Sequence, residues 1–120
     1  VEYMEQHMQI PRTARVPIKS YIAESPTLDA KRAKAFRTGL GMIGWLSATI
    51  RIDLSYAHSR IAKYMATPTE AAWDALRIAY AYIRSTVNLC ISAPMHAPTS
   101  EYSFYTDADH AGNREPLNKT

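Results

Sequence analysis

Two carboxylates one residue apart are the best-placed chemical groups in this 120-residue chain. Asp107 and Asp109 follow the run Tyr102-Ser103-Phe104-Tyr105-Thr106, in which aromatic and smaller residues alternate as they do in a half-buried strand. A strand that delivers Asp-x-Asp and then turns at Gly112 sets hard oxygen ligands on a rigid edge, where a divalent cation can be held. The same residue types also suit a plain solvated turn, because Asp, Asn and Gly are favoured there for backbone reasons. The residues that come before them decide between these readings.

The length leaves room for one small domain, or for pieces of two. A hydrophobic share of 47% is ordinary for a folded protein and excludes compositional disorder. The single cysteine, Cys90, rules out an internal disulfide framework and a Cys-rich zinc site. Set between Leu89 and Ile91, it reads as a small buried residue. No run of about 18 apolar residues offers a membrane span, and no secretory signal is visible. An intracellular place, cytoplasmic or nuclear, with no membrane partner, is the expectation. The net charge of +3 is unevenly spread. Residues 1–37 hold seven Lys or Arg against four acids, and residues 91–120 hold two against four. A basic N-terminal third suits a polyanion, and equally a solvated surface.

Residues 2–9 could form a short helix, after which Pro11, Pro17 and Pro26 impose an extended connector. A helix is expected over residues 29 to about 48, with Phe36, Leu40, Ile43 and Ser47 on its buried face and Met42 and Leu46 beside it. Gly39, Gly41 and Gly44 lie inside it, each costing about 1 kcal/mol relative to Ala. That cost predicts close approach by another backbone. Lys31, Arg32, Lys34 and Arg37 make its first turns basic and are the candidate contacts to a nucleic-acid backbone. Asp53 is expected to cap a second helix whose stripe is Leu54, Ala57, Ile61 and Met65, with His58 as a rim residue rather than a ligand. Thr67-Pro68-Thr69-Glu70 reads as a capping box with proline at the first helical position. Trp73, Leu76, Tyr80, Ile83 and Val87 then form a core stripe, and Asp74, Arg77 and Arg84 lie off it. Residues 89–92 read as a short strand.

In this order the residues resemble the Pol polyprotein of Ty1/copia-type retrotransposons, in the segment joining reverse transcriptase to ribonuclease H. Phe36-Arg37, Gly41, Ile43, Trp45 and Leu46 are similar to that family's aromatic-Arg…Gly…aromatic-Leu helix. Arg51-Ile52-Asp53-Leu54-Ser55-Tyr56-Ala57 resembles its Arg-Pro-Asp-Ile-x-Tyr-Ala signature, with Ile52 in place of proline. Ser59-Arg60, Tyr64-Met65, Ala75-Leu76 and Tyr82-Ile83 continue the likeness, and Pro68-Thr69-Glu70-Ala71-x-Trp73 is its most specific run. Thr106-Asp107-Ala108-Asp109-x-Ala111-Gly112 resembles the family's Ser-Asp-Ala-Asp-Trp-Ala-Gly, with His110 where tryptophan is usual.

The resemblance, over residues 36–113, implies a mainly α chain with a small β part: about three helices leading into the first strands of a ribonuclease H-like α/β fold, truncated here. Residues 1–35 would be the end of the thumb and its connector, residues 36–88 the helical connection, and residues 89–120 the incomplete start of the ribonuclease H-like domain. Asp107 would be the first acid of that site, bridging two Mg²⁺ ions about 4 Å apart that hydrolyse the RNA strand of an RNA–DNA hybrid. Asp109 would be a second ligand or a support for the turn. The polymerase motif Tyr-x-Asp-Asp is absent from the chain, and the remaining acids of the nuclease site are expected beyond it. The parent polyprotein would be an RNA-directed DNA polymerase and hybrid nuclease that acts with other Pol domains. This piece alone is expected to be inactive and to bind no Mg²⁺ tightly. The alternatives are a non-enzymatic helical module contacting nucleic acid or protein, and an Asp-x-Asp metal-dependent phosphotransferase or glycosyltransferase.

Overall fold

Phe36, Leu40, Ile43 and Ser47 recur every three or four residues, and all four are buried along one side of a 20-residue helix. The computed structural model that places them describes residues 1–19, 21–92 and 103–106. In chain order the helices are α1 (Glu2–Glu5), α2 (Ala30–Thr49), α3 (Ser55–Ala62) and α4 (Glu70–Ser85), with a 3-10 turn, Ile52–Leu54, leading into α3. Among the described residues there is no strand, and no helix is long and apolar enough to cross a membrane.

One core joins all of these pieces. Leu54, Ala57 and Ile61 of the second stripe are fully buried, as are Leu76 and Ala79 of α4, with Trp73 and Tyr80 nearly so. Alanines at 72, 75, 79 and 81 keep the inner face of α4 thin, so neighbouring helices can approach it closely. Burying each large side chain contributes about 1.5–3 kcal/mol. Met4, Met8, Ile18 and Ile22 from α1 and the connector belong to the same core, so the N-terminal segment packs on the helices. The Tyr80 hydroxyl reaches across and donates to the Gly39 carbonyl at 2.8 Å. Burial holds that phenol well above the usual tyrosine range, so it remains a donor.

The connector also starts α4. Thr27 and Thr69 form an isolated antiparallel bridge, with Leu28 N–H donating to the Pro68 carbonyl and Glu70 N–H to the Pro26 carbonyl, both at 2.9 Å. Ser25 Oγ accepts from Ala71 N–H at 2.8 Å, and Thr69 Oγ1 accepts from Ala72 N–H at 3.3 Å. The first three orphan N–H groups of α4 are thus satisfied, two of them by residues more than forty positions away. The bridge holds Thr69 extended, which moves the helix start two residues past the expected capping box. Thr69 is the cap, and Pro68 precedes it.

Other expectations are corrected. Helix α1 stops at Glu5, short of residue 9; beyond it the N–H groups of His7 and Met8 both return to the Met4 carbonyl, and the carbonyls of Gln9, Ile10 and Pro11 accept from α4 arginines. Asp53 caps nothing: it lies inside the 3-10 turn, and its carboxylate is taken by Arg51 and Tyr82. Met65 is 39% exposed and Val87 76%, each past the end of its helix. Residues 89–92 and 103–106 form no strand, since no described strand lies beside them to pair with their backbone. Cys90 is exposed rather than buried for the same reason.

The α2 glycines face side chains rather than another backbone. A Cβ at Gly39 would come within 2.6 Å of the Met4 sulfur, and one at Gly44 within 2.7 Å of the His58 imidazole. The rim histidine therefore packs into the notch that Gly44 leaves. A Cβ at Gly41 would meet nothing within 4 Å. Gly41→Ala is therefore expected to raise stability by about 0.5–1 kcal/mol, with a higher Tm by circular dichroism. Gly44→Ala is expected to gain less or to lose stability, because the His58 ring must move.

Candidate nucleic-acid interface and the arginine clamp behind it

The four basic residues of α2 divide into two pairs. Lys31 and Lys34, three residues apart and so on one helix face, are exposed, and their ammonium groups make no hydrogen bond or ion pair with any described residue. Arg32 instead turns to α4, where its two terminal nitrogens reach the Glu70 carboxylate at 2.5 and 2.8 Å. Its guanidinium also lies 4.9 Å above the Trp73 ring. The Glu70 carboxyl is held below its ordinary range by the Arg32 hydrogen bonds. Arg37 donates from Nε to the Met65 carbonyl at 3.0 Å and from Nη2 to the Ala66 carbonyl at 3.1 Å. Two of the basic residues thus bind the α3–α4 passage to α2. The other two offer ammonium groups to solvent, where they can meet phosphates as point charges.

The nuclease-type candidates, Asp107 and Asp109, lie outside the described residues. Among the described residues no three His, Cys, Asp or Glu side chains come together as a metal site would require.

A second constellation holds the corner where α2 meets α3. Arg51 is buried at 7% exposure, and its Nε and Nη2 each donate to the Asp53 carboxylate at 2.9 Å. Nη1 donates to the Thr86 carbonyl at 3.2 Å and Nη2 also to Thr86 Oγ1 at 2.7 Å. The Tyr82 hydroxyl donates to Asp53 Oδ2 at 2.9 Å, and its ring lies 5.6 Å from the Arg51 guanidinium carbon. Every arm of the cation is used, and it ties the last turn of α4 to the start of α3. The Arg51 hydrogen bonds, with a smaller share from Tyr82, hold the Asp53 carboxyl below its ordinary value of 3.8. Burial first and the bond to Asp53 second push the Tyr82 phenol up. Reading the sequence for caps missed this clamp. The available signal was the Arg-x-Asp pair followed, one helix later, by tyrosine and threonine four residues apart.

This chain is 31% identical over 105 residues to the "Retrovirus-related Pol polyprotein from transposon RE2" of Arabidopsis thaliana. The match takes in 82% of this chain and 7% of that polyprotein, so the chain spans a small part of the relative's length. No protein-family model matches the chain, and no solved structure matches it. The similarity supports a retrotransposon-related origin.

A lowered carboxyl pKa stabilises the fold fully above the unfolded value and loses that effect as pH falls through the folded value. Urea unfolding is therefore expected to show stability declining from about pH 5 downward, with a shallower decline in Asp53→Asn. Arg51→Met is expected to cost about 2 kcal/mol at neutral pH, since Asp53 and the Thr86 carbonyl lose a charged donor.

Proposed function

We propose that the chain is the helical connection of a Ty1/copia-type Pol polyprotein, joining reverse transcriptase to ribonuclease H and bracing both against an RNA–DNA hybrid. The observation that carries this reading is the likeness to a Pol polyprotein over most of the chain. The resemblance motifs add support, because they fall on joints of the helical core. Arg51 and Asp53 form the corner clamp, and Glu70 and Trp73 receive Arg32.

In this reading Asp107 is the first nuclease carboxylate, and Asp109 a second ligand or a support for the turn. Bound Mg²⁺ would activate the attacking water and stabilise the leaving oxygen. The chain's own described residues do the holding. Arg32 and Arg37 fix the direction of α2, and Lys31 and Lys34 meet hybrid phosphates without reading bases. One Asp-x-Asp pair cannot hold two divalent ions, so cleavage needs acids from elsewhere in the polyprotein.

The test is Mg²⁺-dependent cleavage of a labelled hybrid by a polypeptide that continues this reading frame on both sides in its source DNA. Cleavage is expected to fall by at least about a hundredfold in Asp107→Asn, since losing a metal ligand exceeds the 10–100-fold loss usual for its supporting groups. The 120-residue chain alone is expected to cleave nothing. Cleavage that survives Asp107→Asn overturns the assignment. In the longer polypeptide, Lys31→Glu with Lys34→Glu is expected to weaken hybrid binding and lower its salt slope by about 2, from two lost phosphate contacts.

A further inference from the structure

Residues 6–23 contain no Asp or Glu, but they carry Arg12, Arg15 and Lys19. All three side chains are exposed, and none bonds to another described residue. The backbone beneath them is tied down. Arg77 Nε donates to the Gln9 carbonyl at 2.6 Å, and Arg84 Nη2 donates to the carbonyls of Ile10 and Pro11. The Ala14 N–H donates to Ser85 Oγ at 3.2 Å. The cations of α4 are committed to the connector's carbonyls, and the connector's own cations find no partner among the described residues. Between connector and helix runs an open cleft of about 470 Å³. Val16 and Ile78 give it apolar walls, and Arg15, Lys19 and Arg77 give it a basic rim. The one acid there, Asp74, is already neutralised by Arg77 at 2.7 Å.

We propose that this cleft binds single-stranded nucleic acid, with phosphates on Arg15 and Lys19 and a base against Pro11, Val16 and Ile78. The volume suits a small ligand of about one nucleotide, and a positively charged groove that tracks the backbone is how single strands are held without sequence preference; here Pro11, Val16 and Ile78 stand where aromatic platforms commonly do. An acidic peptide is the poorer fit. Acidic motifs are recognised by arginine clusters, and here Arg77 is committed to the Gln9 carbonyl and Asp74, which leaves the single guanidinium of Arg15; strand addition is blocked as well, because Pro11 and Pro17 lack N–H groups and the carbonyls of Gln9, Ile10 and Pro11 are occupied. What remains available is a planar guanidinium, an ammonium and apolar faces, which recognise phosphate and base. This goes beyond the hybrid reading and does not rest on it.

The experiment is fluorescence anisotropy of a labelled 12-residue oligothymidylate with the full 120-residue chain at several salt concentrations. Arg15→Glu with Lys19→Glu is expected to weaken binding at least tenfold and to lower the salt slope by about 1.4, the share of two single-strand phosphates. Helicity should be unchanged, and the paired alanine variants give the same slope change if the glutamates disturb folding. Unchanged binding in the Arg15 and Lys19 variants overturns the proposal. So does polyglutamate competing as well as unlabelled oligothymidylate at equal charge, since that marks an acidic-peptide surface. Hybrid cleavage turns on Asp107 and oligothymidylate binding on Arg15 and Lys19, so either proposal can fail alone.

Discussion

A guanidinium with almost no access to water must find partners for its donors, and Arg51 engages all three of its nitrogens, with Asp53 two residues away and Thr86 35 residues away in sequence. An ion taken out of water costs several kcal/mol unless it is both paired and hydrogen-bonded. The corner between α2 and α3 and the end of α4 can therefore exist in one arrangement only, the one that brings Asp53, Tyr82 and Thr86 around that cation. The apolar stripes of the three long helices would tolerate some sliding, as methyl and methylene contacts are not directional. The clamp removes that freedom, setting the register in which Phe36, Leu40 and Ile43 meet Leu76 and Tyr80.

Four more arginines do the same work, while Arg12 and Arg15 stay exposed. Arg32 and Arg37 fasten α2 to the passage before α4, while Arg77 and Arg84 fasten α4 to the connector. Most of these arms end on backbone carbonyls or on carboxylates of another element, so arginine here acts as cross-bracing between helices and loops. Lysine does not share this pattern: Lys19, Lys31 and Lys34 stay in solvent. The division follows from chemistry, because a planar fork can satisfy two acceptors at fixed angles and an ammonium cannot.

The helices were legible because burial follows period. Phe36, Leu40, Ile43 and Ser47, then Leu54, Ala57 and Ile61, then Trp73, Leu76 and Tyr80 are all buried as their spacing requires. The helix ends were not legible, since they are decided by residues far away. Nothing local to Pro68 announces that Thr27 will bridge to Thr69, and nothing local to Asp53 announces Tyr82. The alternation at residues 103–106 illustrates a further limit. Period 2 encodes a face, and a face becomes a strand only beside another strand; Phe104 and Tyr105, at 89% and 94% exposure, have none among the described residues. Of the candidate site, the exposure of Lys31 and Lys34 was readable from type and spacing. The braced role of Arg32 and Arg37 depends on tertiary partners and was not.

The capping of α4 by the connector has a consequence for the order in which a growing chain acquires its fold. Ser25 and Pro26 leave the ribosome long before the N–H groups they accept, the Ser25–Ala71 pair being separated by 46 residues. At about 5–20 residues per second this is a wait of about 2–9 s. During that interval α2 and α3 can pair locally, while the connector and Met4 have no α4 to close upon. The contacts of the connector with α4 are therefore the last that the growing chain can complete, since both sides of each are present only once the fourth helix has emerged.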